Sequence, residues 1–189
     1  MNKEEVYNQL LNNADNFIAA IIEKTDGDEL DLSNLYIIQI DLNKHNIQRF
    51  VKLDFHGNLL TKFTSIPNYI ISLNISFNRF ENINFIKELV NLQELNFSYN
   101  ENVNLDNNIF SNLIELQTID MAGNNLYNIS NISFTNLNKL IKLNISGNNV
   151  FNIINIILPN NINFINATYN NISSEDQEIM KQRLNKIIF

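Results

Sequence analysis

The amino-acid sequence predicts an α/β solenoid. Short parallel strands would form a curved sheet on the concave side of a right-handed coil, with a capping helix at each end. Three observations predict this. An apolar pattern ending in asparagine recurs along most of the chain, those asparagines fall at nearly constant spacing, and amphipathic stretches flank the array.

The recurring unit is apolar, two residues, apolar, one residue, apolar, two residues, Asn. It runs through Phe50, Leu53, Phe55 and Asn58, and again through Ile70, Leu73, Ile75 and Asn78. Later copies end at Asn100, Asn124, Asn148 and Asn170, so successive asparagines keep a nearly constant step along the chain. Within each unit the alternation has period two, which predicts a short strand with apolar residues on one face. One copy cannot bury that face, but stacked copies can, with neighbouring strands about 4.8 Å apart. Each buried Leu, Ile or Phe then contributes roughly 1.5–3 kcal/mol. The asparagine sits where the chain turns inward, and its amide can satisfy backbone groups there. Asn58, Asn78, Asn100, Asn124, Asn148 and Asn170 are therefore expected to form a structural ladder.

On these residues the sequence resembles the leucine-rich-repeat family, intracellular type. The spacers differ in style. Ile66-Pro67 resembles the short bacterial repeat. Phe80, Ile83, Ile86, Leu89 and Leu92 step by three, as in the repeats of phosphatase-regulating proteins. The longer spacers, with Phe110, Leu113, Leu116 and Phe134, Leu137, Leu140, resemble the typical repeat of the family and leave room for a helical turn. An extra polar residue between Asn100 and Val103 suggests a bulged turn.

The ends are read as caps, because an open parallel stack exposes apolar faces and strand edges. Residues 1–27 form the first unit, a helix from Lys3 to Lys24 whose apolar face is Val6, Leu10, Ala14, Phe17, Ile18 and Ile21. Residues 28–172 hold six clear repeats and one degenerate one. In the latter, Leu30-Asp31-Leu32 precedes Leu53-Asp54-Phe55 by one repeat length, with Leu35 in place of the asparagine. A first strand through Ile38, Ile40 and Leu42 is the alternative. Residues 173–189 are expected to be a helix reaching Phe189. Ser173 or Ser174 would cap it, Ser174 and Gln177 match a capping box, and Met180, Leu184, Ile187 and Ile188 would cover the last repeat. No second domain is expected.

Composition narrows the function. The 189 residues include no cysteine, 13 Lys and Arg against 20 Asp and Glu, and a net charge of −7. No cysteine means no disulfide framework and no thiolate chemistry. The acidic balance disfavours duplex nucleic acid, which requires a basic face. No apolar run is long enough to cross a membrane, and the first residues do not form a signal peptide. A cytoplasmic monomer is expected, placed in the host cytoplasm if the source is viral. Neither a cofactor nor a metal is expected. The acidic cluster Asp26, Asp28, Glu29 and Asp31 lacks calcium-loop spacing, because the twelfth residue from Asp26 is Ile37. No zinc, nucleophile-elbow or phosphate-loop motif occurs. Asp54 and His56 could position a base, but no nucleophile accompanies them in the sequence.

Alternation puts three side chains per repeat on the concave face. The candidate binding residues are Lys52, Asp54, His56, Asn74, Glu94, Asn96, Thr118, Asp120, Lys142, Asn144, Phe164 and Asn166. The middle row, 54, 74, 96, 120, 144 and 166, is wholly Asp or Asn. It reads equally as a polar ligand track and as the ordinary strand ending of such repeats. Phe77, Tyr99 and Tyr169 at the strand exits could anchor a partner or pack inward. Seven Asn-x-Ser/Thr sequons occur, four of them on the middle row, and without a signal peptide they are read as unused. The resemblance implies a non-enzymatic scaffold binding a partner protein through its concave sheet. Two alternatives are a regulatory subunit of an enzyme such as a phosphatase and, in a different class, a small hydrolase using Asp54 and His56.

Overall fold

The protein is described by a computed structural model. It covers residues 3–100, 102–184 and 186–189, without the side chains of residues 3, 4, 6–8 and 10–12. Helix α1 (Lys3–Lys24) leads into eight short strands: β1 (Glu29–Asp31), β2 (Lys52–Asp54), β3 (Ser72–Asn74), β4 (Glu94–Asn96), β5 (Thr118–Asp120), β6 (Lys142–Asn144), β7 (Phe164–Asn166) and β8 (Ile187–Ile188). A second helix, α2 (Ser174–Arg183), lies between β7 and β8. All eight strands form one parallel sheet in chain order, so each repeat adds one strand beside the last. Register follows the repeat: Leu30, Leu53, Leu73, Leu95, Ile119, Leu143, Ile165 and Ile187 face one another strand to strand.

Behind the sheet lies one continuous core. Phe50, Ile70, Leu92, Leu116 and Leu140 open their repeats and are fully buried, as are Phe55, Ile75, Phe97 and Met121. Aromatic side chains fill the spacer side. Phe63 packs against Phe55, Phe80 and Phe85 at centroid distances of 5.1–5.5 Å, and Phe110 stacks on Phe134 at 5.5 Å. The step-of-three spacing has a direct backbone counterpart. Ile86 N–H donates to Ile83 O, Leu89 to Ile86 and Leu92 to Leu89, giving a 3₁₀ segment over Asn84–Glu88. The longer spacers do not hold a helical turn. They too close by steps of three, Leu113 to Phe110 and Leu116 to Leu113, then Leu137 to Phe134 and Leu140 to Leu137. Glu101, within the expected bulge, lies outside the described residues. Beside it, Asn102 has φ 60° and Val103 is buried.

The ladder asparagines are the common fastener. Asn148 is representative: its Oδ1 accepts from Asn124 N and Leu126 N at 2.9 and 3.0 Å. Its Nδ2 donates to Met121 O of the previous repeat and to Ile145 O of its own, at 3.0 and 2.9 Å. Asn58, Asn78, Asn100, Asn124 and Asn170 make the corresponding bonds. Asn100 and Asn124 are completely buried. In the first repeat Leu35 holds the ladder position and donates its N–H to Asn58 Oδ1. That repeat is a true one, because Leu30 pairs with Leu53 and Leu32 is buried. Ile38, from the alternative strand, is solvent-exposed.

Strands β1 to β7 each exit through a left-handed residue just before the ladder position. The series is Asn34, Gly57, Phe77, Tyr99, Gly123, Gly147 and Tyr169, with φ between 52° and 68°. Glycine enters this conformation freely, whereas a residue with a Cβ is opposed by roughly 1–2 kcal/mol. A Cβ on Gly123 would also stand 2.5 Å from the Tyr99 ring. A Cβ on Gly147 would meet nothing nearer than 3.7 Å.

Both ends differ in detail from the sequence expectation. Among the described side chains of α1, Ile18 and Ile22 are buried and Ile21 is partly buried, while Ala14 and Phe17 are exposed. The inward stripe is rotated toward Asp15, which pairs with Lys44 at 3.2 Å and lies 3.8 Å from His45. The expected contributions of Val6 and Leu10 lie outside the described side chains. Arg49 of the first repeat clamps the helix end, donating to Ile22 O and Thr25 O at 2.5 and 2.6 Å. A cation is favoured there by the partial negative charge of the helix C-terminus. At the other end the helix does not run to Phe189. It stops at Arg183, and Ile187–Ile188 pair with β7 as an eighth strand. Ile187 follows Ile165 by one repeat length, the same offset that separates Leu95 from Leu73. Leu184, Ile187 and Phe189 also reproduce the internal spacing of Ile162, Ile165 and Ala167. The array therefore extends past residue 172, Ile187 is buried within the strand, and Ile188 is exposed. The cap of α2 is Ser173, whose hydroxyl accepts from Asp176 N, while Gln177 donates to Ile172 O.

Two outcomes are expected. Asn124→Ala strands the N–H of Asn100 and removes the donor to Phe97 O and Met121 O. It should lower unfolding free energy by at least about 2 kcal/mol in urea titration. Gly123→Ala should destabilise more than Gly147→Ala in the same assay, because both share the backbone conformation but only the first meets a ring.

Candidate functional site

The concave face is built from three side-chain rows, and the rows are not equivalent. The first row includes Lys52, Ser72, Glu94, Thr118, Lys142 and Phe164, all half-buried or exposed. The middle row includes Asp54, Asn74, Asn96, Asp120, Asn144 and Asn166, all half-buried. The third row turns into the structure. Ser76, Ser98 and Ala122 are buried, and Ser33, His56, Ser146 and Thr168 are half-buried. The first two rows line a shallow groove of about 490 Å³ running from Asp54 to Asn166.

The uniform middle row has a backbone cause. In every repeat its Oδ1 accepts from the N–H two residues on: Asp31 from Ser33, Asp54 from His56, Asn74 from Ser76, Asn96 from Ser98, Asp120 from Ala122, Asn144 from Ser146 and Asn166 from Thr168. Asp and Asn place a carbonyl or carboxylate oxygen at that reach, the geometry of an Asx turn, which Ser and Thr hydroxyls make more weakly. The hydroxyls of Ser76, Ser98, Ser146 and Thr168 donate to the same oxygen at 2.7–2.8 Å. This accounts for the four sequons on the row: Asn-x-Ser/Thr is the turn's own hydrogen-bonding unit. In two pairs the second atom of the side chain reaches across the sheet. Asn74 donates to Asp54 Oδ2 and Asn144 to Asp120 Oδ2, both at 3.0 Å.

His56 lies within reach of a hydroxyl that the sequence did not bring to notice. Its Nδ1 is 2.9 Å from Ser76 Oγ, one repeat further on. The arrangement does not assemble a hydrolytic relay. Ser76 gives its proton to Asn74 Oδ1, so the imidazole donates to the serine instead of removing its proton. Asp54 bonds the backbone N–H of His56 with one oxygen and Asn74 with the other. Ser76 is 2% exposed, so its hydroxyl is not presented to solvent. Among the described residues no cluster of three or more His, Cys, Asp or Glu could hold a metal ion.

Beside the groove, the left-handed exits carry exposed rings. Phe77 and Tyr99 are about half exposed, and Tyr169 is 87% exposed. Phe77 stacks on Tyr99 at 4.4 Å, and His56 meets Phe77 edge to face at 5.1 Å. Turn geometry sends these side chains outward, so they are not packing residues of the core.

Neither a family model nor a curated protein matches the chain. Solved structures do. The functional domain of InlJ from Listeria monocytogenes superposes with a TM-score of 0.62 at 17% identity, over 82% of this chain and 37% of that one. The internalin InlF from the same organism gives 0.62 at 20% identity, over 90% and 59%. A leucine-rich-repeat protein of Leptospira interrogans gives 0.55 at 22% identity, over 86% and 54%. The chain thus spans between about a third and three fifths of the length of these structures. The InlJ domain includes a cysteine ladder, whereas this chain has no cysteine and its ladder is asparagine. With its strand order, register and asparagine rungs, the chain has the leucine-rich-repeat solenoid fold.

Proposed function

We propose that the chain is a non-enzymatic scaffold that binds a partner protein through the concave sheet. The observation that carries this reading is the division of labour between rows. The middle row is held by its own turn bonds, so the first row projects from a backbone already fixed. Binding to such a surface orders little beyond the contacting side chains, and ordering is a main cost of association. Lys52, Glu94, Thr118, Lys142 and Phe164 offer charged, hydroxyl and aromatic contacts along one line, the mixture typical of protein interfaces. Likeness to solved leucine-rich-repeat structures supports the scaffold reading at the level of fold only.

The partner is read as a protein engaging a monomer. Five carboxylates (Glu29, Asp31, Asp54, Glu94, Asp120) face three lysines (Lys52, Lys142, Lys186) on the first two rows, a net acidic balance that repels a phosphate backbone. No helix among the described residues is long and apolar enough to cross a membrane. In functional terms residues 1–27 act as the N-terminal cap, and the repeats that follow carry the binding face.

Thr118 gives the sharpest test, because its side chain takes part in no turn bond. Thr118→Arg should remove partner capture from lysate by at least about tenfold. Asn108→Arg, an exposed spacer position, should leave capture intact, and both variants should melt like the parent. Equal capture by Thr118→Arg and the parent would place the interface elsewhere.

A further inference from the structure

The stacked rings at the strand exits are not required by the fold. At the same turn Gly57, Gly123 and Gly147 adopt the same left-handed backbone without opposition. Phe77 and Tyr99 adopt it with φ 52° and 55° and hold their rings half in solvent. Backbone strain at exposed aromatic positions marks a surface kept for something other than stability. The rings are also preordered. Tyr99 lies between Phe77 and Gly123, and Phe77 lies between Tyr99 and His56. The stacked faces of Phe77 and Tyr99 cover each other, and the two rings with His56 form an apolar rib.

The adjoining rows are acidic and unneutralised. Among the described residues none of the five carboxylates on them is ion-paired. Asp54 and Asp120 are approached only by neutral donors, the backbone N–H groups of their turns and the amides of Asn74 and Asn144. The whole chain carries −7. Charge complementarity then selects a cationic occupant. Resting on the concave-face reading, we propose that the rib His56–Phe77–Tyr99 and the acidic middle row form one surface for a protein segment bearing lysine or arginine. The ammonium or guanidinium heads meet Asp54 and Asp120, and the apolar stems and neighbouring side chains lie along the rib. Long basic side chains combine both features.

The repeats themselves supply variants that spare the fold. Phe77→Gly with Tyr99→Gly installs the residue that sister turns already use. Asp54→Asn with Asp120→Asn keeps the Oδ1 acceptor of the turn, as in Asn74 and Asn96, and removes the charge together with the Oδ2 acceptors of Asn74 and Asn144. The full chain is panned against a phage-displayed random dodecapeptide library, and affinities of the selected peptides are measured for each double variant. Selected peptides should be enriched in Lys and Arg. Their Kd should rise at least about tenfold for both double variants and should rise with ionic strength for the parent, while both variants keep a single cooperative unfolding transition. Peptides without basic enrichment, or Kd values indifferent to either double variant, overturn the proposal, as does selective retention of oligosaccharides or single-stranded RNA. If Thr118→Arg abolishes peptide binding while both double variants bind normally, the concave face stands and the rib with its acidic row fails. If Thr118→Arg leaves partner capture unchanged, the concave reading itself fails.

Discussion

A chain that turns sharply after a short strand leaves buried backbone N–H and C=O groups with no strand to bond. An unmet group of this kind costs about 1–3 kcal/mol, and it recurs at every coil. The structure meets the demand with one amide per repeat. Asn148 accepts from the turn before it and donates to the strand ends of its own and the previous repeat, and its counterparts do the same. These bonds cross from repeat to repeat, so each coil is completed only by its neighbour. Strand register, the outward aromatic exits and the fixed concave rows all depend on that closure.

The same constraint explains why asparagine is the commonest residue of the sequence. Asparagine occupies the buried ladder and much of the Asx row, and it also forms a second, exposed line across the turns. Asn125 donates to Asn102, Asn149 to Asn125 and Asn171 to Asn149. Asn102 joins this line although Glu101 intervenes after the ladder residue, so the extra residue is accommodated without ending the row. Asparagine suits all three places because it has a donor and an acceptor at short reach and tolerates left-handed backbone.

Much of this was legible in the residues. Leu-x-Leu spacing fixed which side of each strand is buried, and the spacing of the asparagines fixed the register from β2 to β7. Leu30-Asp31-Leu32 marked the first strand even without an asparagine after it. Other features resisted because local pattern and tertiary position disagree. Ile187 and Ile188 read as the end of an amphipathic helix, yet their distance from Ile165 is a repeat length, and pairing with β7 prevails. Phe17 belongs to an apolar stripe by spacing, but the groove beside the first repeat accepts Ile18 and Ile22 and turns Phe17 to solvent. On the concave face the sequence identified the rows but not their bonds. Whether the middle row was a ligand track or a turn device depended on one hydrogen bond per repeat, and a one-dimensional pattern carries no distances. His56 and Ser76 belong to different repeats, and no motif announced their pairing.

Amide hydrogen exchange in the native protein tests the central claim most directly. The N–H groups of Leu60, Phe80, Asn100, Leu126 and Val150 lie outside the strands and bond only to ladder side chains. Closure by the ladder predicts that they exchange as slowly as the amides of Leu73, Leu95, Ile119 and Leu143 in the strands, opening only with the sheet itself. Exchange at the rate of exposed turns, with the strand amides still protected, would contradict it.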